Sequence, residues 1–310
     1  MRNEGLSRRG LFGAGAALAA SVITGCAAAQ GDSAAPEVTP GSSSATPLAG
    51  GPPGAAPITG GPSGAAPASA RPISTVAAPP AVSPAAVAAR HAGTRPHAWG
   101  VDLPGITSGF PAAGKQLALT FDACGGPGNG EIDQALIDLL VAERVPATLF
   151  LNKRWVDADP GRVQRLAANP LFELASHGVA HKPLSVTGRA AYNIAGTASA
   201  EEAVHEVWAN HERLLELTGR APRFFRAGTA HYDDVAVAIV NELGEIPLGF
   251  TVNADFGATA SATQVQRAMS AAAPGGIVLA HMHRPKSGTA AGMAAAIPAL
   301  RASGFTFVHL

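Results

Sequence analysis

Short strand-like segments alternate with helix-like segments from residue 117 to the end of the 310-residue chain. A chain that alternates in this way favours a parallel sheet covered by helices. Some seven strand-like runs within one domain predict an α/β fold, with a closed or nearly closed β/α barrel of about seven parallel strands rather than an open doubly wound sheet. The runs span residues 117–122, 147–152, 172–177, 223–228, 247–253, 275–281 and 305–310.

Two of the intervening segments have apolar residues at helical spacing. One lies between residues 131 and 145, and the other lies between residues 201 and 219, where Gly219 is expected to end the helix. The predicted core-facing residues are Ile132, Leu136, Leu139 and Leu140 in the first segment, and Val204, Val207, Leu214 and Leu215 in the second.

The N-terminus has the pattern of an export signal. Arg8 and Arg9 precede an apolar stretch of small residues that ends at Cys26 in the sequence ITGC. The stretch is shorter than the roughly 20 apolar residues of a membrane-spanning helix. The arginine pair resembles a twin-arginine signal, and ITGC resembles a bacterial lipobox. Residues 1–26 are therefore predicted to be a signal peptide with Cys26 lipidated, which implies an extracytoplasmic protein anchored to the bacterial cell membrane. An ordinary cleaved signal is the alternative.

Residues 27–95 consist mainly of Ala, Pro, Gly, Ser and Thr and contain no aromatic residue, so this segment is predicted to be a disordered tether. Residues 96–310 are predicted to form one domain. The formal net charge is zero, so the sequence gives no indication of nucleic-acid binding. With Cys26 lipidated, the second of the two cysteines, Cys124, has no partner for a disulfide. The sequence does not predict an oligomeric state.

Polar residues stand at the ends of the predicted strands. The carboxyl ends of parallel strands are where ligands bind in α/β folds, so these residues are candidates for a functional site. They are Asp122, His177, Arg226, Asn253 and His281.

Two histidine pairs lie next to such strand ends. His177 and His181 are four residues apart and have the spacing to share a metal ion, although paired surface histidines are also common. His281 and His283 are expected to point to the same side of an extended chain. Arg226 requires a partner if it is buried, and a carboxylate is the natural one.

Together these motifs resemble the polysaccharide deacetylases of the NodB-homology type, carbohydrate esterase family four. The resemblance covers residues 117–310, and the family's five motifs occur in order. They are TFDA at 120–123, the pair His177 and His181, Arg226 with the small residues after it, Asp255 with Phe256, and the apolar strand that ends at His281.

The resemblance implies a distorted (β/α) barrel that removes N-acetyl groups from an amino-sugar polysaccharide, such as peptidoglycan or a chitin-like glycan, at the cell envelope. It implies that Asp122 is the catalytic base and His281 the general acid. Arg226 and Asp255 support them, and a backbone N–H near Thr229 stabilises the oxyanion. The implied cofactor is a divalent metal on His177 and His181, and imidazole ligands favour zinc.

One position departs from the family pattern. The family's third metal ligand is a second aspartate, and this chain has Ala123 there. Asp122 is one candidate substitute ligand, and the others are His231, Asp234 and His283. Cys124 is interpreted as a small buried turn residue, with a ligand role as the alternative. Two other functions stay open, namely a noncatalytic glycan-binding protein on the same fold and hydrolysis of a different amide.

The remaining candidate residues are expected to have no role in a functional site. His205 and His211 are predicted to be solvated on an amphipathic helix, and His309 is predicted to be structural. Trp155 and Trp208 are expected to pack in the core or on the surface. Residues 125–131 are glycine-rich but lack the lysine of a phosphate-binding loop, so nucleotide binding is not predicted. The glycines of this segment are instead expected to let the backbone approach the substrate or the metal.

Overall fold

A computed structural model of the protein describes residues 83–310. The predicted signal peptide, Cys26 and residues 27–82 of the predicted tether lie outside the described residues. Within residues 83–310, no helix is both long enough and apolar enough to cross a membrane.

The described residues form ten strands and eight α-helices. The strands are β1 (Trp99–Gly100), β2 (Gln116–Ala123), β3 (Ala147–Leu151), β4 (Phe172–Ser176), β5 (Phe224–Phe225), β6 (Tyr232–Asp233), β7 (Ile246–Pro247), β8 (Val252–Asn253), β9 (Gly276–His281) and β10 (Thr306–Phe307). The helices are α1 (Pro84–His91), α2 (Gln134–Ala142), α3 (Lys153–Ala158), α4 (Pro160–Ala167), α5 (Ala200–Thr218), α6 (Asp234–Glu242), α7 (Ala262–Met269) and α8 (Thr289–Ala302).

Seven strands form one parallel sheet in the order β7-β5-β4-β3-β2-β9-β8, and β10 pairs in parallel with the start of β2. The sheet curls into a half-barrel, so the predicted α/β fold with about seven parallel strands is confirmed. Near the opening, residues 107–110 cross from one edge to the other, because Thr107 pairs with Leu248 and the Phe110 N–H donates to the Gly275 carbonyl. Strands β1 and β6 form a separate antiparallel pair.

The alternation of side chains along β2 separates two apolar layers. Phe121 and Ala123 belong to the outer cluster, which packs the sheet against α2, α3, α4, α7 and α8. Ala118 belongs to the interior cluster on the other face. By the same alternation, Asp122 lies on the interior face. The interior cluster consists of Ala118, Phe150, Ala175, Phe224, Leu248 and Ile277.

The two predicted amphipathic helices are present. Asp133 accepts a hydrogen bond from the Leu136 N–H at the start of α2, and Ser199 does the same for the Glu202 N–H at the start of α5. Helix α5 ends at Gly219 as predicted, where φ is +69°. Of the eight apolar residues predicted to face the core, Leu215 is an exception and is 42% exposed.

Helix α1 lies within the segment that was assigned to the tether. Val87 is buried in an apolar cluster with residues of α5 and α6, and Arg90 and His91 both contact the carboxylate of Glu242. Packing therefore begins before residue 96, and the low-complexity composition conceals it because Val87 is the only fully buried side chain of α1.

Candidate active site

Asp122 and His281 lie side by side at the carboxyl ends of two neighbouring strands. They are paired in the register of β2 with β9, and both are buried. His177 and Arg226 follow directly after β4 and β5, and Asn253 ends β8. The structure thus brings the predicted strand-end residues to one edge of the sheet.

Arg226 is the partner of Asp122. Its Nη1 donates to Asp122 Oδ1 at 2.7 Å, and the guanidinium also donates to the carbonyls of Leu248 and Gly249. Arg226 is fully buried and stacks over the ring of Phe150. The carboxylate predicted as the partner of Arg226 is therefore Asp122, and both members of this ion pair are buried.

Asp255 orients His281. Its Oδ1 accepts from His281 Nδ1 at 2.7 Å, while its Oδ2 accepts from the His281 N–H and from the hydroxyl of Thr289. Burial favours the neutral forms of both groups, but their attraction outweighs it. The pKa of His281 is consequently raised well above its usual value and that of Asp255 is lowered. His281 is thus held as an imidazolium with a proton to donate.

A third group of side chains has the composition of a metal site. One donor atom each of Cys124, His177 and His181 lies within 4.8 Å of the other two, and no other such trio of histidine, cysteine or acidic residues occurs in residues 83–310. His177 Nδ1 is 2.8 Å from the carbonyl of Arg226, which can only accept, so Nδ1 carries the proton. His177 Nε2 is then free as a ligand, 3.8 Å from Cys124 Sγ.

The substitute ligands considered from the sequence do not join this trio. Asp122 Oδ2 is 3.6 Å from His177 Nε2, but the carboxylate is bound to Arg226. His283 donates from Nδ1 to the carbonyl of Asp122, and His231 donates from Nδ1 to the carbonyl of Thr229. Asp234 accepts the backbone N–H groups that precede β1. Each of these candidates therefore has another partner.

Cys124 is buried, as expected for a small turn residue, and it also lies among histidines. Burial raises the pKa of its thiol, but the four histidines around it outweigh burial and hold the pKa well below the usual value. The thiolate is the form of cysteine that binds metals. Cys124 directly follows Ala123, the residue that lacks the family's ligand carboxylate. This position is the sequence signal for a candidate metal ligand. The four histidines are His177, His181, His281 and His283.

The turn that carries His181 is held from two sides. His181 has φ +58°, and Gly228 approaches its backbone so closely that a Cβ at residue 228 would lie 2.2 Å from the His181 carbonyl carbon. From the other side, the buried carboxylate of Glu206 accepts the N–H groups of Ala180 and Lys182. Sequence analysis missed Glu206, although an acid among the buried residues of an amphipathic helix signals a specific partner.

Thr229 lies in a one-turn 3₁₀ helix that follows Arg226, with φ +68°. A positive φ at a threonine is uncommon and is found where the surrounding structure fixes the backbone. Its Oγ1 is buried and has no hydrogen-bond partner among the described residues. Thr229 therefore offers an unused polar group close to Arg226, the region in which an oxyanion donor was predicted.

The residues expected to have no role in the site differ in their environments. His205 is exposed as predicted, whereas the prediction that His211 is solvated is wrong. His211 is 9% exposed, lies 2.9 Å from the buried carboxylate of Glu245 and stacks on Trp208. Helical spacing alone did not reveal an acid 34 residues away. Trp155 is fully buried in the outer cluster.

Residues 111–245 match the model of the polysaccharide deacetylase family. On this match, residues 111–245 form a polysaccharide deacetylase domain. The matched residues of the deacetylase domain include Asp122, His177, His181 and Arg226. Asp255 and His281 follow the matched residues, and the structure places them at the same edge of the sheet.

Solved structures share the fold of this chain. The chain is similar in fold to the peptidoglycan N-acetylglucosamine deacetylase Bc1960, with 24% identity and a TM-score of 0.56 over 66% of this chain and 90% of that one. It is also similar to PdaA of Bacillus subtilis, a family 4 carbohydrate esterase, with 20% identity and a TM-score of 0.52 over 66% and 81% of the two chains. A third similar structure is BA3943 of Bacillus anthracis, a pseudoenzyme of the same family, with 22% identity and a TM-score of 0.55 over 66% and 68%.

Proposed function

We propose that the protein is a metal-dependent hydrolase that removes N-acetyl groups from an amino-sugar polysaccharide of the cell envelope. The deacetylase domain supplies the reaction class, and an N-acetylated glycan such as peptidoglycan is the substrate class. The proposal assigns the chemistry to Asp122 and His281, with Arg226 and Asp255 supporting them.

One observation carries this proposal. A buried carboxylate and a buried imidazolium occupy paired positions on adjacent strands, and each has its own charged partner. Neighbouring strands lie about 4.8 Å apart, so a small group between the two side chains is within reach of both. A base and an acid poised together serve proton transfers, which glycan binding alone does not require.

The residues divide the reaction between them. Asp122 takes the proton of the attacking water, and Arg226 holds the carboxylate in place through the hydrogen bond to Oδ1. A backbone N–H near Thr229 donates to the oxyanion that forms on the acetyl carbon. His281 then donates its Nε2 proton to the nitrogen as its bond to the acetyl carbon breaks, because the amine would otherwise leave as a strongly basic anion. Asp255 accepts from Nδ1 throughout and keeps the imidazole in the required orientation.

His177 and His181 are the residues that would hold the metal, and their imidazole nitrogens suit zinc. When bound there, a divalent metal supplies the polarisation of the acetyl carbonyl and the activation of water that an unreactive amide needs. The matched family and a similar structure solved in complex with cobalt, an acetyl xylan esterase of Clostridium thermocellum, support a metal at this edge.

Release of acetate from an N-acetylglucosamine oligomer tests the proposed activity. We expect the zinc-loaded wild-type chain to release acetate and Asp122→Asn to lose at least about 100-fold of this rate, because an amide cannot accept the proton. Zinc content is expected to persist in Asp122→Asn. If the wild-type chain binds the oligomer but releases no acetate with any divalent metal, the proposed activity is wrong.

A noncatalytic glycan-binding protein is the second candidate. Ala123 has no donor atom at the family's ligand position, and the similar protein BA3943 is a pseudoenzyme. The same assay separates the two functions, since a binding protein retains the oligomer without turning it over.

The proposed location rests on Cys26 in the sequence ITGC. Lipidation of this cysteine would anchor the protein to the outer face of the cell membrane, with residues 27–82 between the anchor and the described structure. Cys26→Ser is expected to move the protein from the membrane fraction to the soluble extracytoplasmic fraction. Unchanged fractionation would contradict lipidation.

A further inference from the structure

We propose that Cys124 supplies the third protein ligand of the metal, so that a thiolate stands where the deacetylase family has a carboxylate. This inference rests on the proposed metal site and names the donor that completes it. It commits the site to one sulfur and two nitrogen donors.

The side chains of Ala123 and Cys124 point in different directions. Ala123 is fully buried in the outer cluster, which also contains Leu151 and Trp155, and this cluster faces the helices. Cys124 follows β2 and presents Sγ to His177 Nε2. A side chain at residue 124 therefore reaches the histidines, whereas a side chain at residue 123 points towards the helices.

The three candidate ligands lie close together, and the surrounding packing holds the turns that carry them. Cys124, His177 and His181 present mutually close donor atoms on turns that packing holds in place. On one side, Gly125 lies against the backbone N of Trp155, where a Cβ would approach to 2.7 Å. On the other side, Gly228 and Glu206 hold the His181 turn. A ligand set that is fixed before the metal arrives loses little entropy on binding.

The chemistry of the three donor atoms determines which metals the site suits. One thiolate and two imidazoles form a borderline-soft set that suits zinc and cobalt(II), whereas magnesium and manganese(II) favour carboxylates, carbonyls and water. Three protein ligands leave a fourth position of a tetrahedral site open, as catalytic zinc sites do. The proposed thiolate therefore also predicts which metals the site selects.

Cobalt(II) loaded into the full chain tests this assignment independently of activity. A thiolate ligand gives cobalt a near-ultraviolet charge-transfer band that nitrogen and oxygen donors do not. We expect this band in the wild-type chain and its loss in Cys124→Ser. We also expect Cys124→Ser to weaken zinc binding by more than the roughly 10–100-fold that loss of an outer-shell partner costs.

The chain provides a matched control because it contains only two cysteines. Cys26→Ser is expected to keep the band. The variant Cys124→Asp is expected to bind cobalt without the band, since it returns a carboxylate at the residue that faces the histidines. Ala123→Asp is expected to gain no zinc affinity and to lower the free energy of unfolding, because it buries a carboxylate in the outer cluster.

Two results would overturn the assignment: cobalt bound in the wild-type chain without the band, or a band and zinc affinity unchanged in Cys124→Ser. A band in a protein that releases no acetate would support the ligand assignment while contradicting the proposed activity. Acetate release without the band would contradict the ligand assignment while supporting the proposed activity.

Discussion

Both carboxylate oxygens of Glu206 accept hydrogen bonds from the backbone N–H of Ala180, at 2.9 and 3.0 Å. Ala180 precedes His181, so a side chain of α5 holds the turn that carries a proposed metal ligand. Glu206 has a raised pKa because burial outweighs these hydrogen bonds. Its carboxylate accepts from the backbone on both sides of His181, so we expect it to act as a positioning residue.

We expect Glu206→Gln to weaken zinc binding by about 10-fold, because an amide NH₂ would face the Ala180 N–H. Zinc affinity, measured by competition with a chelator, checks this expectation. Glu212→Gln is the matched control, since Glu212 is exposed on the same helix. Equal zinc affinities in the two variants would contradict a positioning role for Glu206.

Arg226→Met tests the buried ion pair. Removal of the guanidinium leaves the Asp122 carboxylate buried without its partner, which typically costs about 3–5 kcal/mol of the free energy of unfolding. Arg223→Met, which breaks a pair with Glu173 in which the arginine is 56% exposed, is expected to cost less than Arg226→Met, about 1 kcal/mol. Urea denaturation measures both variants. The double variant Arg226→Met, Asp122→Asn is expected to recover part of the loss, and strictly additive effects would show that the two side chains are not coupled.

Asp255→Asn tests the support of the acid. Without the carboxylate, His281 loses the partner that raises its pKa, and we expect kcat to fall by about 100- to 10,000-fold with little change in KM. Acetate release measures the rate, and zinc content is the control, because Asp255 contacts His281 and Thr289 and lies outside the metal trio. A fall in zinc content equal to the fall in kcat would indicate a different role for Asp255.

The buried pair of Glu245 and His211 predicts a pH dependence of stability away from the site. Burial raises the pKa of Glu245 from 4.5 to about 7. Between these values the folded state holds a proton that the unfolded state has released. The contribution of Glu245 is therefore present at low pH and is lost as the pH rises from 4.5 through about 7.

Glu245→Gln removes this titration. We expect the free energy of unfolding to fall less between pH 5 and pH 8 in the variant than in the wild-type chain, as measured by urea denaturation at both pH values. Glu242 provides a contrast, because Arg90 lowers its pKa and the contribution of Glu242 is lost as the pH falls. Parallel pH profiles for wild type and Glu245→Gln would contradict the assignment.

Sequence periodicity was sufficient to predict the long, buried strands and helices α2 and α5, because the spacing of apolar residues in these elements follows from the face that is buried. It was not sufficient for residues 247–253, predicted as one strand. There β7 pairs with β5 and β8 pairs with β9, so the segment crosses from one edge of the half-barrel to the other. Pairing partners are a tertiary property that seven consecutive residues do not encode.

The same distinction applies to the site. Asp122, His177, Arg226 and His281 could be predicted because strand ends converge in a parallel sheet. The closeness of Cys124 to His177 was not predicted, because contact between two turns is a tertiary property, although the position of Cys124 next to Ala123 was a usable signal. Glu245 was missed for the same reason, because its partner His211 belongs to another element.

The two faces of β2 also limit how this strand can change. Asp122 lies on the interior face beside His281, whereas its neighbours Phe121 and Ala123 lie in the outer cluster. Deletion of one residue between Leu117 and Asp122 would exchange these roles, moving the carboxylate towards the helices and an apolar side chain towards the substrate. Individual side chains on either face can therefore be substituted independently, whereas the length of the strand up to Asp122 is fixed.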